Sequence, residues 1–142
     1  GPLPDPDARG TLTGLSLRHG RGHLARATLE GTSCHLRWLL EACDGDGAAD
    51  IWAAGGAAHS PLWMQILCDV LGRSVHTPEV VEAGSLGAAI SAAVGAGVYE
   101  NTAEGVAAMV REGPMYAPDA ARVAAYESVY QKWRAEEDRH AT

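Results

Sequence analysis

The segment "GGAAHSPLWMQILCDVLGRSV", residues 55–75, carries the signals on which the fold turns. Gly55 and Gly56 close the apolar run "IWAAG" and free the backbone to turn sharply or to let another molecule approach closely. Ser60 and Pro61 then read as the N-cap and first residue of a helix that Gly72 stops. The unpaired N–H groups of its first turn point back toward the glycines, an arrangement that receives an anion such as a phosphate. "IWAAG" before the helix and "SVHTP" after it read as short strands, so the centre of the chain is a strand–helix–strand unit of an α/β layered domain.

Outward from this centre the same punctuation continues. "TLTGLSL", residues 11–17, alternates and suits a strand. From about Gly22 a helical period runs through Leu24, Ala27, Thr28, Gly31, Cys34, Trp38 and Ala42, and the loop "DGDGAAD" ends it. On the other side, "GSLGAAISAAVGAGVY" is a helix of small residues suited to close packing. A further short helix spans Thr102 to Glu112, and Pro118 and Asp119 open a last one. There Val123, Tyr126, Tyr130 and Trp133 form an apolar stripe, and "AEEDRH" is its solvated end.

The 142 residues suffice for one domain with a substantial core, and no repeat or linker divides them. A formal charge of −7, from 18 acidic and 11 basic residues without a Lys/Arg-rich run, argues against nucleic acid as a partner. No apolar run is long enough to cross a bilayer, and none resembles a signal peptide, so no membrane partner is expected. Cys34, Cys43 and Cys68 make an odd count without C-x-x-C spacing and read as reduced, buried thiols of a cytoplasmic protein.

Several patterns imitate sites. "GRGHLA", residues 20–25, fits G-x-G-x-x-A, with Glu41 at the distance of a ribose-binding acid, but Glu41 falls inside the same helix. Asp44, Asp46 and Asp50 begin like a calcium loop, yet Gly55 stands where the bidentate acid belongs. His19 and His23 are four apart with no third ligand nearby, and "GTS" at 31–33 lies within a periodic helix. No serine has an elbow pattern, and no P-loop lysine or H-E-x-x-H occurs. The glycine pair before the Ser60 helix outlasts these as the candidate ligand loop.

Two segments read together resemble the FGGY family of carbohydrate kinases, in the carboxy-terminal part of its second domain. Gly10, Leu12, Gly14 and Leu15, then seven residues, then His23, Leu24, Ala27, Thr28, Leu29 and Glu30 fit the second signature of that family without a gap. "GGAAHSPLWMQILCDVLGRSV" resembles its adenosine-binding segment, and "EAGSLGAAISAAVGAG" the Gly/Ala helix that follows. The resemblance implies the actin-like, ribonuclease-H-like fold, here a partial domain with a short mixed sheet packed by helices. It also implies a cytoplasmic kinase that moves the γ-phosphate of ATP to a sugar or polyol hydroxyl, most like the pentulose kinases.

By the same resemblance Gly55, Gly56 and Ala57 pass under the ribose and phosphates of ATP or ADP, Ser60 faces adenine and Trp63 walls the adenine pocket. Many relatives have asparagine where Ser60 stands, so this chain offers the adenine edge fewer donors and acceptors. The sugar site, the catalytic aspartate and the Mg²⁺ ligands belong to other parts of such a kinase. Residues 1–142 are therefore expected to form an incomplete C-terminal nucleotide-binding domain, inactive alone, with neither catalytic nor metal-binding residues of its own. Its expected sheet order is 3-2-1-4-5, with "TLTGLSL", "IWAAG" and "SVHTP" as strands three to five. Absent strands one and two would leave edges to be covered by the rest of the kinase or by a second copy. The competing reading is a non-catalytic interaction or nucleotide-binding module that has kept the kinase fold.

Overall fold

The computed structural model describes residues 9–43 and 50–140, with side chains up to residue 137. Helix α1 (Arg21–Cys43) is followed by strand β1 (Ile51–Trp52), a 3₁₀ turn (Gly56–His59) and helix α2 (Pro61–Leu71). Strand β2 (Val75–Pro78), helices α3 (Ala83–Gly95) and α4 (Thr102–Met109), strand β3 (Glu112–Tyr116) and helix α5 (Ala120–His140) complete the order. The acidic turn containing Asp44 and Asp46 lies outside the described residues.

Helix α2 starts and stops as its sequence dictates. Ser60 accepts the Trp63 N–H at 3.3 Å, Pro61 occupies the first turn, and Gly72 ends the helix in the left-handed region at φ 64°. Between these caps the helix is buried on two sides. Ile66 and Val70 join Cys34 of α1 and Tyr126 and Tyr130 of α5, with Leu29, Trp38 and Trp133 around them. Met64, Leu67 and Cys68 face the sheet, packing with Ala58 and Val75 and flanked by Ile51 and Tyr116.

The sheet has the order β1-β2-β3, with β1 parallel and β3 antiparallel to β2. Ile51, Val75 and Tyr116 are in register on the α2 side, while the row Trp52, His76 and Met115 shares the other face. There Trp52 stacks on His76, their rings 5.1 Å apart, and both Trp52 and Met115 are exposed. The Cys68 thiol reaches the Arg73 carbonyl at 3.0 Å and the Tyr116 carbonyl at 3.1 Å, tying α2 to β3. Helices α3 and α4 pack principally on each other, Ile90 lying where a side chain on Gly105 would clash at 2.8 Å.

The sequence reading needs four corrections. "TLTGLSL" is not a strand: Gly14 has φ 71°, the His19 N–H donates to Ser16 in a turn, and Leu12, Leu15 and Leu17 are exposed. The third strand is instead β3, which the Gly113-Pro114 pair hides from periodicity. At the edge of a sheet a proline costs no ladder bond, and a side chain on Gly113 would meet the Pro78 carbonyl carbon at 2.8 Å. Helix α4 accordingly ends at Met109, short of Glu112, and Cys43, expected to be buried, is exposed.

An ion pair between the buried Asp69 and the exposed Arg122 fastens α2 to α5. Asp69, 2% exposed, accepts from Arg122 Nε at 2.5 Å, from the Asp119 N–H at 2.9 Å and from Gln65 Nε2 at 3.0 Å. Asp119 in turn accepts the Arg122 N–H at 3.0 Å and so caps α5. Burial by itself would raise the Asp69 pKa, but Arg122, then the Asp119 N–H and Gln65, hold it below the usual carboxylate value. A depressed folded-state pKa contributes stability that is present above the unfolded value, near 4, and lost as pH falls through the folded one. Asp69→Asn is therefore expected to cost about 1–3 kcal/mol at pH 7 through the weakened bonds. The gap to the parent chain should narrow on acidification below about pH 4. Urea unfolding at both pH values checks this, and a gap independent of pH contradicts it.

Candidate functional site

The glycine turn leaves β1 at Ala53, whose N–H still bonds to His76 O at 2.8 Å. Gly55 then takes φ 83° and ψ −169°, a conformation that side chains disfavour, and its N–H donates to Val81 O at 2.7 Å. Gly56 opens the 3₁₀ turn with negative φ, so its backbone would accept any residue. Apart from the immediately adjoining backbone, no atom of the described residues lies within 4 Å of a Cβ built there. Neither conformation nor packing therefore accounts for glycine at position 56, and the space above it is open. Among the described residues the N–H groups of Gly56 and Ala57 find no acceptor, which leaves two adjacent backbone donors in this turn unpaired.

The remaining predicted residues continue this surface. Ala57 and Ser60 are half-buried, and Ser60 uses an oxygen lone pair on the Trp63 N–H, leaving its O–H for a ligand. Trp63 packs on the cluster around Met64 and Val75, which makes it partly a core residue, and its indole Nε1 is buried without a hydrogen-bond partner. Residues 55–60 thus form one turn, with Trp63 a helical turn beyond.

One residue of this turn and one beside it were not singled out from the sequence. His59 Nε2 lies 3.1 Å from Glu82 Oε1, on the residue that precedes α3. The glutamate ahead of the Gly/Ala helix was the available signal.

The signature residues gather elsewhere. Gly14, Leu15, His23, Leu24, Ala27 and Glu30 line a groove of about 570 Å³ beside the start of α1. His23 Nδ1 accepts the Gly20 N–H at 3.2 Å, closing the helix start in the manner of a capping box, and His19 Nδ1 likewise accepts the Ser16 N–H at 2.9 Å. The G-x-G-x-x-A match loses its structural context, since among the described residues no strand precedes Gly20. Glu41, its proposed ribose acid, instead binds Arg37 and the Tyr130 hydroxyl.

Comparison with known proteins gives one consistent answer. Residues 1–96 match the pattern described as "FGGY family of carbohydrate kinases, C-terminal domain". A glycerol kinase of Albidiferax ferrireducens is 41% identical over 110 residues, covering 72% of this chain and 22% of that protein. An autoinducer-2 kinase of Salmonella paratyphi B is 39% identical over 104 residues, or 73% and 19% of the two chains. The crystal structure of xylulose kinase from Rhodospirillum rubrum superimposes with a TM-score of 0.77 at 38% identity, covering 95% of this chain and 28% of that one. The chain thus spans about a fifth of the length of the curated relatives it matches.

The contrast between the two glycines is testable by unfolding. Gly55→Val is expected to destabilise the chain by about 1–3 kcal/mol, because valine must adopt a positive φ. Gly56→Val should leave the melting temperature close to that of the parent, and a large drop would show that packing fills the space above it.

Proposed function

The chain belongs to the FGGY family of carbohydrate kinases, matching the C-terminal domain of that family, and from this premise we propose that it supplies the ATP-binding part of a kinase that phosphorylates a pentulose. The single observation that carries the nucleotide assignment is Gly56, a glycine unexplained by conformation or packing beside two unpaired N–H donors. Those donors suit phosphate oxygens, and the absence of a side chain permits the close approach. The Ser60 O–H meets the adenine edge, and the face of Trp63 walls the base.

ATP, when bound, supplies the phosphoryl group; the Gly56 and Ala57 amides orient it. Selection of the sugar, activation of its hydroxyl and the Mg²⁺ ligands are assigned to parts of the kinase beyond this chain, with residues 1–142 contributing no catalytic group. The pentulose assignment is supported by the 38% identity to a xylulose kinase across 95% of the chain. A cytoplasmic setting suits Cys34 and Cys68, both buried and free. In a complete kinase the rest of the enzyme covers the exposed Trp52–His76–Met115 face, as parallel strands are ordinarily covered on both sides.

Calorimetric titration of the chain with ADP tests this reading. Binding should be weak, because no second domain closes over the phosphates. Gly56→Val should abolish it and Trp63→Ala weaken it by about 1–3 kcal/mol. No ATP-dependent phosphorylation of xylulose, ribulose or glycerol is expected from the chain alone. The reading fails if the folded parent chain shows no ADP binding, or if it shows a turnover that a mutation within these residues removes.

A further inference from the structure

The glycine turn is tied to the β2–α3 junction at both of its ends. At the near end the Gly55 N–H donates to Val81 O at 2.7 Å, and at the far end His59 Nε2–H donates to Glu82 Oε1 at 3.1 Å. The two unpaired amides of Gly56 and Ala57 lie between these ties.

Glu82 occupies the N-cap position of α3, yet its carboxylate does not cap that helix. Serine, threonine, aspartate and asparagine are the residues that serve an N-cap well. A glutamate there is unsuited to capping, and its longer side chain reaches across to the turn instead. Both partners are well exposed, at 62% and 65%, so the contact adds little to global stability. What it can fix is local: the far end of a short 3₁₀ segment whose near end is already held. The contact also occupies the Glu82 carboxylate, the acidic group joined to this turn, and turns its charge toward an imidazole rather than toward an incoming anion.

We propose that His59 and Glu82 are positioning residues for a polyphosphate at the glycine turn, clamping residues 56–59 to the start of α3 so that the Gly56 and Ala57 amides share one direction. The assignment rests on the nucleotide reading above and adds to it the part played by two residues outside the glycine motif. A clamp has two halves with one function, so losing either half should have the same effect as losing both.

The test is ADP titration of the full chain and of His59→Ala, Glu82→Ala, the double variant and His59→Lys, each with a melting curve. Each alanine variant is expected to bind ADP about fivefold more weakly, the scale of an exposed charge pair. The double variant should be no weaker than either single, His59→Lys should restore most of the affinity, and melting temperatures should stay together. Unchanged affinity in the single variants, or losses that multiply in the double one, overturns the clamp while leaving the nucleotide reading intact. An affinity loss matched by a drop in melting temperature overturns it too, as a folding defect. Absence of ADP binding in the folded parent overturns both.

Discussion

Helix α2 is the constraint on which the structure depends, because it is shared by both cores. Its residues Met64 and Ile66–Val70 are buried, with Ile66 and Val70 turned toward α1 and α5 and Met64, Leu67 and Cys68 toward the sheet. A helix buried on two sides cannot rotate or slide without opening one interface or the other. Its N-terminus is fixed by the same packing, and that end carries Ser60 and, just before it, the glycine turn. The geometry of the candidate site is therefore set by a hydrophobic element behind it. Asp69 adds direction to what apolar contacts leave free, since its ion pair with Arg122 is satisfied in one register of α2 against α5.

The parts legible in the sequence were those written in local chemistry. Ser60-Pro61 and Gly72 bound α2 because capping and helix termination are local events, and Tyr126 and Tyr130 announced the buried face of α5 through their spacing. The glycine turn was visible for the same reason. The strand misread at 11–17 shows the limit of periodicity: alternation describes a strand only when a neighbour is present to pair with, and Gly14 bends the segment away from extension. β3 was hidden in the opposite sense, because its strand character comes from pairing with β2, while Gly113-Pro114 carries the local signature of a turn. The His59–Glu82 contact joins residues 23 positions apart and left only the odd choice of N-cap as a trace.

Family membership and site geometry support different parts of the functional reading. Membership assigns the chain to carbohydrate kinases, whereas open space above Gly56 and unpaired donors in its turn are properties of this chain alone. Within the segment that resembles an adenosine-binding motif, Gly56 is the position that neither backbone conformation nor internal packing explains. Trp63 is the intermediate case, a partly buried residue packed against the core cluster whose indole Nε1 is buried without a hydrogen-bond partner.

The Cys68 thiol, which bridges α2 to the Arg73 and Tyr116 carbonyls, has a chemical consequence. Burial, then the neighbouring Asp69 carboxylate, push its pKa up to about 11, and burial followed by Glu30 does the same for Cys34. At pH 8 only about one such group in a thousand is a thiolate, the form that attacks disulfides and alkylating reagents. Cys43, by contrast, lies at the exposed end of α1. The folded chain consequently presents one accessible thiol and two shielded ones, so a fluorescent maleimide can mark its surface without disturbing the core. Slow modification of the two buried thiols, Cys34 on α1 and Cys68 on α2, then becomes a clock for the opening of the interfaces that α2 makes.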